Sequence, residues 1–174
     1  VAVSTDTGCF LFSNTTVKSH QLAAKLMEAG VDVAELNMIL FESKSKARMA
    51  IERTALENLE YHFEDRCALM SLTREQIAAS GVAANELEDI TSLPRKIEGV
   101  QVGITLRQLP QGSYKISVRT TAEVDAIAKR LGGGGHSRAA GCELEGNLDN
   151  AKAAILAEVE RELKRADAAA QEQE

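Results

Sequence analysis

Residues 131–141 include the side-chain types best suited to holding a charged ligand. Gly132, Gly133, Gly134 and Gly135 stand in a row, and His136 and Arg138 follow. Four consecutive glycines disfavour a helix or a central strand, because each loses much backbone entropy and offers no side chain to pack. Their N–H groups can form a concave nest that suits phosphate, and the histidine and arginine can donate hydrogen bonds to an anion. The pattern predicts a phosphate-binding loop rather than a flexible linker, because a helix-like segment precedes the run and a strand-like segment follows it.

A predicted β-hairpin supplies further cationic and polar side chains. Apolar residues alternate over 100–106 and over 114–118, and Pro110 and Gly112 mark a turn between them. One face of the hairpin should therefore be buried, and the other carries Thr105, Arg107, Lys115, Ser117 and Arg119. In the simplest register Arg119 lies opposite Gly103, whose missing side chain leaves open space above it. The residues alone leave two interpretations open, an anion-binding surface or an ordinary solvated face.

A carboxylate near the start of the chain is a candidate metal ligand. The apolar residues 1–3 predict a short strand, and Asp6 follows in the loop Ser-Thr-Asp-Thr-Gly at 4–8. Open α/β sheets place their sites just beyond the carboxyl ends of strands, and carboxylates suit Mn²⁺ or Mg²⁺. The alternative is a turn residue that accepts hydrogen bonds from nearby N–H groups.

The remaining pattern alternates helices with strands and indicates an α/β fold. Helices are predicted from a cap at residues 14–16 to Gly30, and over 33–41, 45–61, 73–79, 84–93, 120–131 and 148–163. Thr73 with Gln76 and Thr120 with Glu123 have capping-box spacing. Buried strands are predicted over 67–72 and 141–144. The polar residues 43–46 predict a hinge between domains, and the tail beyond Arg165 is expected to fray.

Length and composition narrow the class of protein. The 174 residues suffice for one ordinary domain or two small ones. A net charge of −6 argues against tight binding to long nucleic acid, and 3% aromatic residues argue against a base-stacking platform. Cys9, Cys67 and Cys142 lack zinc-site spacing and predict reduced, mostly buried thiols in a cytoplasmic protein. No signal peptide or membrane-spanning run is recognisable, and the absence of an initiator Met predicts a piece of a larger protein.

Two motifs resemble a known family. The run Gly-Gly-Gly-His-x-x-Ala-Ala-Gly at 133–141 resembles the signature of the domain associated with DHH-type phosphoesterases. Residues 5–16, Thr-Asp-Thr-Gly-x-Phe-x-Phe-Ser-Asn-Thr-Thr, resemble the last metal-ligand motif of the DHH catalytic domain. The resemblance covers roughly residues 3–165. It implies an α/β fold with two parts. Residues 1–42 would be a C-terminal remnant of the catalytic domain, and residues 43–174 would be the DHH-associated domain, with a mixed sheet flanked by helices. The tail is expected to be disordered or frayed from about residue 166.

The resemblance also assigns roles to individual residues. Asp6 matches a ligand of a two-metal site that usually holds Mn²⁺, and most of the other ligands are expected in residues absent from this chain. The positions that match substrate-binding residues of relatives are Arg107, Ser117, Arg119, Gly132, Gly133, Gly134, Gly135 and His136. Arg138 falls at a variable position of the motif. Guanidinium groups grip phosphate bidentately and glycine lets backbone approach it closely, which agrees with these roles.

The subgroup that the chain resembles contains the short RecJ-like oligoribonucleases and 3′-phosphoadenosine 5′-phosphate phosphatases. The expected parent is a manganese-dependent phosphoesterase acting on short RNA, on 3′,5′-bisphosphonucleotides or on both, with no membrane partner; its relatives often form homodimers. This chain alone is expected to hydrolyse little. The alternatives are a RecJ-type single-stranded DNA exonuclease, which the acidic charge disfavours, a cyclic-dinucleotide phosphodiesterase, and a non-catalytic nucleotide-binding module. Alanyl-tRNA editing domains share a related glycine-rich signature but leave the Asp6 motif unexplained.

Overall fold

The computed structural model describes residues 1–120, 125–136 and 139–171. The chain divides into two compact units, Val1–Ser45 and Lys46–Glu174. The assignment of residues 1–42 and 43–174 to two domains of one family stays a prediction. Two features of the sequence, Glu123 of the second capping box and Arg138 of the glycine-rich motif, lie outside the described residues.

The first unit is entirely helical. It contains α1 (Ala2–Asp6), α2 (Val17–Glu28) and α3 (Val33–Asn37), which continues into a π-helical turn (Met38–Glu42). The strand predicted at residues 1–3 is wrong, because this unit, all of whose residues are described, contains no strand that could pair with it. A helical turn satisfies the backbone instead, and the N–H of Thr5 donates to the Val1 carbonyl at 3.1 Å. The cap of α2 is confirmed at Thr16, which forms a capping box with Ser19.

The second unit is built on a six-stranded mixed sheet with the order β1-β2-β3-β4-β6-β5. The pair β2–β3 is parallel and the other pairs are antiparallel. The strands are β1 (Leu59–His62), β2 (Cys67–Leu72), β3 (Val102–Gln108), β4 (Tyr114–Thr120), β5 (Gly134–His136) and β6 (Ala139–Leu144). The helices are α4 (Lys46–Glu57), α5 (Arg74–Ser80), α6 (Ala84–Ile90), a 3₁₀ turn (Pro94–Lys96), α7 (Asp125–Arg130) and α8 (Leu148–Gln171). The predicted α/β fold with a mixed sheet and flanking helices is confirmed.

Apolar residues on both faces of the sheet are buried by helices. On one face Leu69, Ile104 and Ile116 pack in a core with residues of α7 and α8, among them Ile127 and Ile155. On the other face, a second core joins β2 to α4 and α6 through Met70, Leu72, Ile51, Ala55 and Ile90. The expectation of one buried face for the β3–β4 hairpin therefore needs correction, because polar residues of its second face, such as Thr105 and Arg107, are also buried.

Three helix boundaries can be compared with the boundaries predicted from the sequence. The capping box of Thr73 and Gln76 is confirmed, and Gly81 ends α5 in the left-handed conformation at φ +67°. The helix predicted over 45–61 ends at Glu57, because the next residues form edge strand β1, in which Leu59 pairs with Met70. The tail expected to fray from about 166 continues α8 to Gln171, since alanine, glutamine and glutamate favour helix and Asp167 accepts a 2.8 Å hydrogen bond from Arg66.

Candidate functional site

The β3–β4 hairpin has the register predicted from the sequence. Arg119 pairs with Gly103, Ser117 with Thr105, and Lys115 with Arg107. The open space expected above Gly103 is wrong, because the 3₁₀ turn packs onto it. A Cβ atom on Gly103 would lie 2.6 Å from the backbone nitrogen of Arg95 and 3.1 Å from the Cβ of Pro94. Glycine is therefore required here for close packing of the turn, which brings Arg95 to the same end of the hairpin as Arg119.

The polar face extends from β4 across β6 to the edge strand β5. Ser117 pairs with Gly141, and Gly141 pairs in turn with Gly134, so these positions share one face of the sheet. Arg119 pairs with Ala139 in the next row. Gly134 is exposed and Gly141 and Ala139 are partly exposed. The result is a floor of small residues, defined by Gly134, Gly141 and Ala139, beside the cationic side chains of β3 and β4.

The glycine run is anchored at both ends, which contradicts a flexible linker. Gly132, at φ +77°, follows α7 and donates its N–H to the Lys129 carbonyl at 3.1 Å, and Gly133 donates to the Ala128 carbonyl at 2.8 Å. This is the Schellman pattern that ends a helix. The predicted nest of consecutive N–H groups needs correction, because the N–H groups of Gly132 and Gly133 already cap α7.

Packing explains the choice of glycine at two further positions of the run. A Cβ on Gly133 would overlap the carbonyl oxygen of Gly141 and lie 2.6 Å from the Cβ of Cys142. Gly135 approaches the backbone of β6 just as closely, with its Cβ position 2.5 Å from the Cα of Ala140. At Gly134, by contrast, no described atom lies within 4 Å of an added Cβ, and its φ is not positive. The backbone of His136 ends β5 opposite Ala139.

Arg107 is buried beneath a carboxylate from α6. Its Nη2 donates to Oε1 of Glu88 at 2.6 Å, and Nζ of Lys115 donates to the same oxygen at 3.2 Å. Burial opposes the ionisation of Glu88, but the hydrogen bond and charge of Arg107, followed by those of Lys115, outweigh it and lower the pKa of Glu88. Arg107 itself is only 5% exposed, and its Nε has no hydrogen-bond partner among the described residues.

Arg119 lies at the other end of the same face. It is partly buried, and its Nη1 donates to the Val118 carbonyl at 3.1 Å. Burial lowers the pKa of Arg119; the charge of Glu88 opposes this shift, while those of Arg95 and Arg107 add to it. The cationic side chains of Arg107, Lys115 and Arg119 thus lie within electrostatic reach of the Glu88 carboxylate, and Arg95 lies within reach of Arg119, a positive environment in a chain of net charge −6.

Two buried hydroxyl groups line the face between its cationic ends. Ser117 is 5% exposed and pairs with the fully buried Thr105. The Oγ1 of Thr105 has no hydrogen-bond partner among the described residues. Arg107, Ser117 and Arg119 on this face were predicted as site residues from the family resemblance, whereas Glu88, Arg95 and Lys115 were not. The alternation of β4 already put Lys115 on this face, whereas α6 and the 3₁₀ turn reach it only through tertiary packing.

Asp6, the predicted metal ligand, lies in the first unit. It is the exposed last residue of α1, and its carbonyl oxygen accepts a 2.9 Å hydrogen bond from the Asn14 side chain. Its expected position after a strand is wrong, because residues 2–6 are helical. Among the described residues no group of three or more His, Cys, Asp or Glu side chains could hold a metal ion. One carboxylate does not satisfy the ligand number of Mn²⁺ or Mg²⁺, so the residues present do not form that site by themselves.

The three free cysteines fit the expectation of reduced thiols. Cys67 and Cys142 are buried and Cys9 is partly exposed. Burial raises the pKa of Cys67 to about 12 and also raises the pKa of Cys142, so both are neutral thiols at neutral pH. In the part of the chain that the structure describes, no helix is both long and apolar enough to cross a membrane.

Comparison with known proteins identifies relatives that match most of the chain. The family model of the DHHA1 domain matches residues 70–165. The bifunctional oligoribonuclease and PAP phosphatase NrnA of Thermus thermophilus is 36% identical over 168 residues, which are 94% of this chain and 49% of that protein. The probable bifunctional oligoribonuclease and PAP phosphatase NrnA of Streptococcus mutans is 31% identical over 137 residues, 78% of this chain and 44% of that protein. The chain thus spans about half the length of the curated relatives it matches.

A solved structure supports the fold. The crystal structure of an exopolyphosphatase-related protein from Bacteroides fragilis superimposes with a TM-score of 0.83 over 91% of this chain and 47% of that chain, at 24% sequence identity. The two proteins therefore share the arrangement of helices and strands over most of this chain.

Proposed function

Because the chain belongs to the DHHA1 domain family and is homologous to NrnA proteins, we propose that it carries the substrate-binding domain of a metal-dependent phosphoesterase. The substrates of the whole protein are short oligoribonucleotides, 3′,5′-bisphosphonucleotides or both. The observation that carries this proposal is the cationic face of the sheet, where Arg107, Ser117 and Arg119 adjoin the floor of small residues.

The chemistry of that face suits a nucleotide phosphate. Guanidinium groups bind phosphate through two parallel hydrogen bonds, and these bonds strengthen where water is partly excluded. Arg119 is partly buried, and beyond the donor that contacts Val118 its guanidinium has donors for which no described residue is a hydrogen-bond partner. The floor lets a sugar or base lie directly against the sheet, because Gly134 and Gly141 present no side chain. His136, at the end of β5, is proposed as a further substrate contact.

The bond-breaking step belongs to the whole protein. We propose Asp6 as one ligand of its two-metal Mn²⁺ site, with the remaining ligands outside this chain. Together with those other ligands, Asp6 would help to hold divalent ions, and the chemistry that these would supply is the activation of a water for attack at phosphorus and the stabilisation of the oxygens of the displacement. The first unit exposes many apolar side chains, Leu11 at 85% and Ile39 at 60% among them, which suits a segment that packs against further protein. This chain is therefore expected to bind substrate and to hydrolyse little.

The test is calorimetric titration of the chain with adenosine 3′,5′-bisphosphate and with a diadenosine dinucleotide, each with and without Mn²⁺. We expect binding that does not require the metal. Arg119→Ala should weaken it by about 1.5–3 kcal/mol, the usual contribution of a hydrogen bond to a charged group. Arg161→Ala is the matched control, because it removes the same charge from α8, which packs on the opposite face of the sheet. Equal affinity of the wild type and Arg119→Ala would show that this face is not the binding site.

A further inference from the structure

The carboxylate of Glu88 occupies a position that is built to hold an anion. One oxygen, Oε1, accepts hydrogen bonds from Nη2 of Arg107 and Nζ of Lys115, at 2.6 and 3.2 Å. We call this position, between Arg107 and Lys115, the Glu88 seat. A phosphate oxygen placed there would receive the same two charge-assisted hydrogen bonds.

Arg107 differs from the carboxylate that fills the seat in how deeply it is buried. The side chain of Arg107 is 6% exposed and its Nε has no partner among the described residues, so this cation is desolvated and incompletely satisfied. The side chain of Glu88 is 52% exposed, so it can turn into solvent without disturbing the core. Glu88 also lies in the last turn of α6, where the helix dipole disfavours a negative charge. Arg107 is therefore a fixed part of the sheet face, whereas the Glu88 carboxylate can leave it; Lys115, whose side chain is half-exposed, can follow either anion.

The seat is separate from the position that Arg119 serves. Lys115 and Arg119 lie four residues apart on β4, which places their Cα atoms about 13 Å apart. The row of Thr105 and Ser117 lies between them. A single phosphate at Arg119 leaves the seat occupied by Glu88, and a ligand with a second phosphate reaches both ends of the face.

We propose that the Glu88 seat binds a second phosphate group of the substrate, with Lys115 and Arg107 as its ligands and Glu88 as an internal anion that the phosphate displaces. This inference rests on the proposed function. It adds Lys115 as a substrate-binding residue and Glu88 as a specificity-determining residue. Glu88 lowers the affinity for ligands that enter the seat more than for ligands that use the Arg119 end alone, because it acts on Arg119 through its charge and not by filling the place of the ligand.

The experiment compares adenosine 5′-phosphate with adenosine 3′,5′-bisphosphate, which share the nucleoside and differ by one phosphate. Glu88→Gln keeps the shape of the side chain and removes its charge, so the bisphosphate should bind about fivefold more tightly. Lys115→Met removes a seat ligand and should weaken the bisphosphate about fivefold. Both variants should change the affinity for the monophosphate by less than about twofold. Glu86→Gln, which removes the same charge two residues away on α6, is the control and should change neither affinity.

Each other outcome identifies what has failed. Weaker binding of both ligands by Glu88→Gln would mean that Glu88 only positions Arg107, and it would overturn the proposal. Bisphosphate binding that ignores both Glu88 and Lys115 would refute the seat and leave the proposed function intact. No binding of either nucleotide to any variant would refute the proposed function, and the seat with it. Urea unfolding of each variant ensures that affinities are compared between folded proteins.

Discussion

Two adjacent glycines of the run should respond in opposite ways to the same substitution. Gly133→Ala places a Cβ against the Gly141 carbonyl oxygen and 2.6 Å from the Cβ of Cys142, and these atoms belong to β6 and cannot move independently. Gly134→Ala meets no described atom within 4 Å, and its backbone already has a φ that alanine adopts. Both substitutions add one methyl group. The difference between their free energies of unfolding therefore reports how tightly the two positions of the run are packed.

The magnitudes follow from the geometry. Overpacking of a well-packed site costs typically 1–3 kcal/mol, and backbone overlap places Gly133→Ala at about 3 kcal/mol. Gly134→Ala should raise the free energy of unfolding by roughly 0.4–1 kcal/mol, because alanine restricts the unfolded chain more than glycine does. With a urea m-value of about 1.5 kcal/mol/M, the midpoint should fall by about 2 M for the first variant and rise by about 0.5 M for the second.

The assay is urea unfolding followed by far-ultraviolet circular dichroism, since the chain contains no Trp for fluorescence. Both variants are then titrated with adenosine 3′,5′-bisphosphate. Gly134→Ala should be folded and yet bind more weakly, because its methyl group stands on the floor of the proposed site. Equal destabilisation by the two substitutions would refute the packing argument. Unchanged affinity in a stable Gly134→Ala variant would exclude Gly134 from the binding surface.

Two further predictions concern the rest of the sheet. Gly103→Ala should lower the free energy of unfolding by about 1–3 kcal/mol, because its Cβ would lie 2.6 Å from the Arg95 nitrogen, and urea unfolding beside Gly134→Ala checks this. Burial raises the pKa of Cys67 to about 12 in the folded state, from 9. The thiol therefore stabilises the fold fully below pH 9, and this contribution is lost as the pH rises from 9 to 12. A thiol reagent at pH 8 should modify Cys9 in the native protein and Cys67 only after unfolding; rapid native labelling of Cys67 would contradict its burial.

The sequence was enough to predict those strands and turns whose characteristic pattern lies within a short stretch of residues. The alternation of the hairpin, together with its turn residues, was enough to place Arg119 opposite Gly103. The strand Cys67–Leu72 was predicted with the bounds that the structure has, because a short apolar run flanked by a capping box leaves few alternatives. The shared face of Arg107, Ser117 and Arg119 was therefore accessible from the sequence, and their role in substrate binding stays a prediction.

The wrong predictions concern residues whose structure is decided by contacts with distant parts of the chain and not by the local sequence pattern. Leu59 continues the apolar stripe of α4 but lies in β1, because pairing with Met70 completes the sheet edge. Residues 1–3 have the composition of a strand and form a helical turn, since their unit supplies no strand to pair with. Glu88 reaches Arg107 on the candidate site because α6 packs over the hairpin. That contact could not be predicted from any periodic pattern in the sequence. Such residues are found only once the packing is known.

Under the proposed function, the acidic charge of the chain limits the size of the ligand that the cationic face can bind. Arg107, Lys115 and Arg119 lie on the strands and Arg95 lies on the 3₁₀ turn, but the adjoining helix α6 carries the exposed side chains of Glu88 and Asp89, and α5 carries Glu75. A polyanion that extends from the face across these helices meets carboxylates and loses the electrostatic gain that long nucleic acids need. A ligand with one or two phosphates stays within the cationic area. The net charge of −6 and the local positive potential are therefore compatible, and both agree with the proposal of a short nucleotide as the ligand.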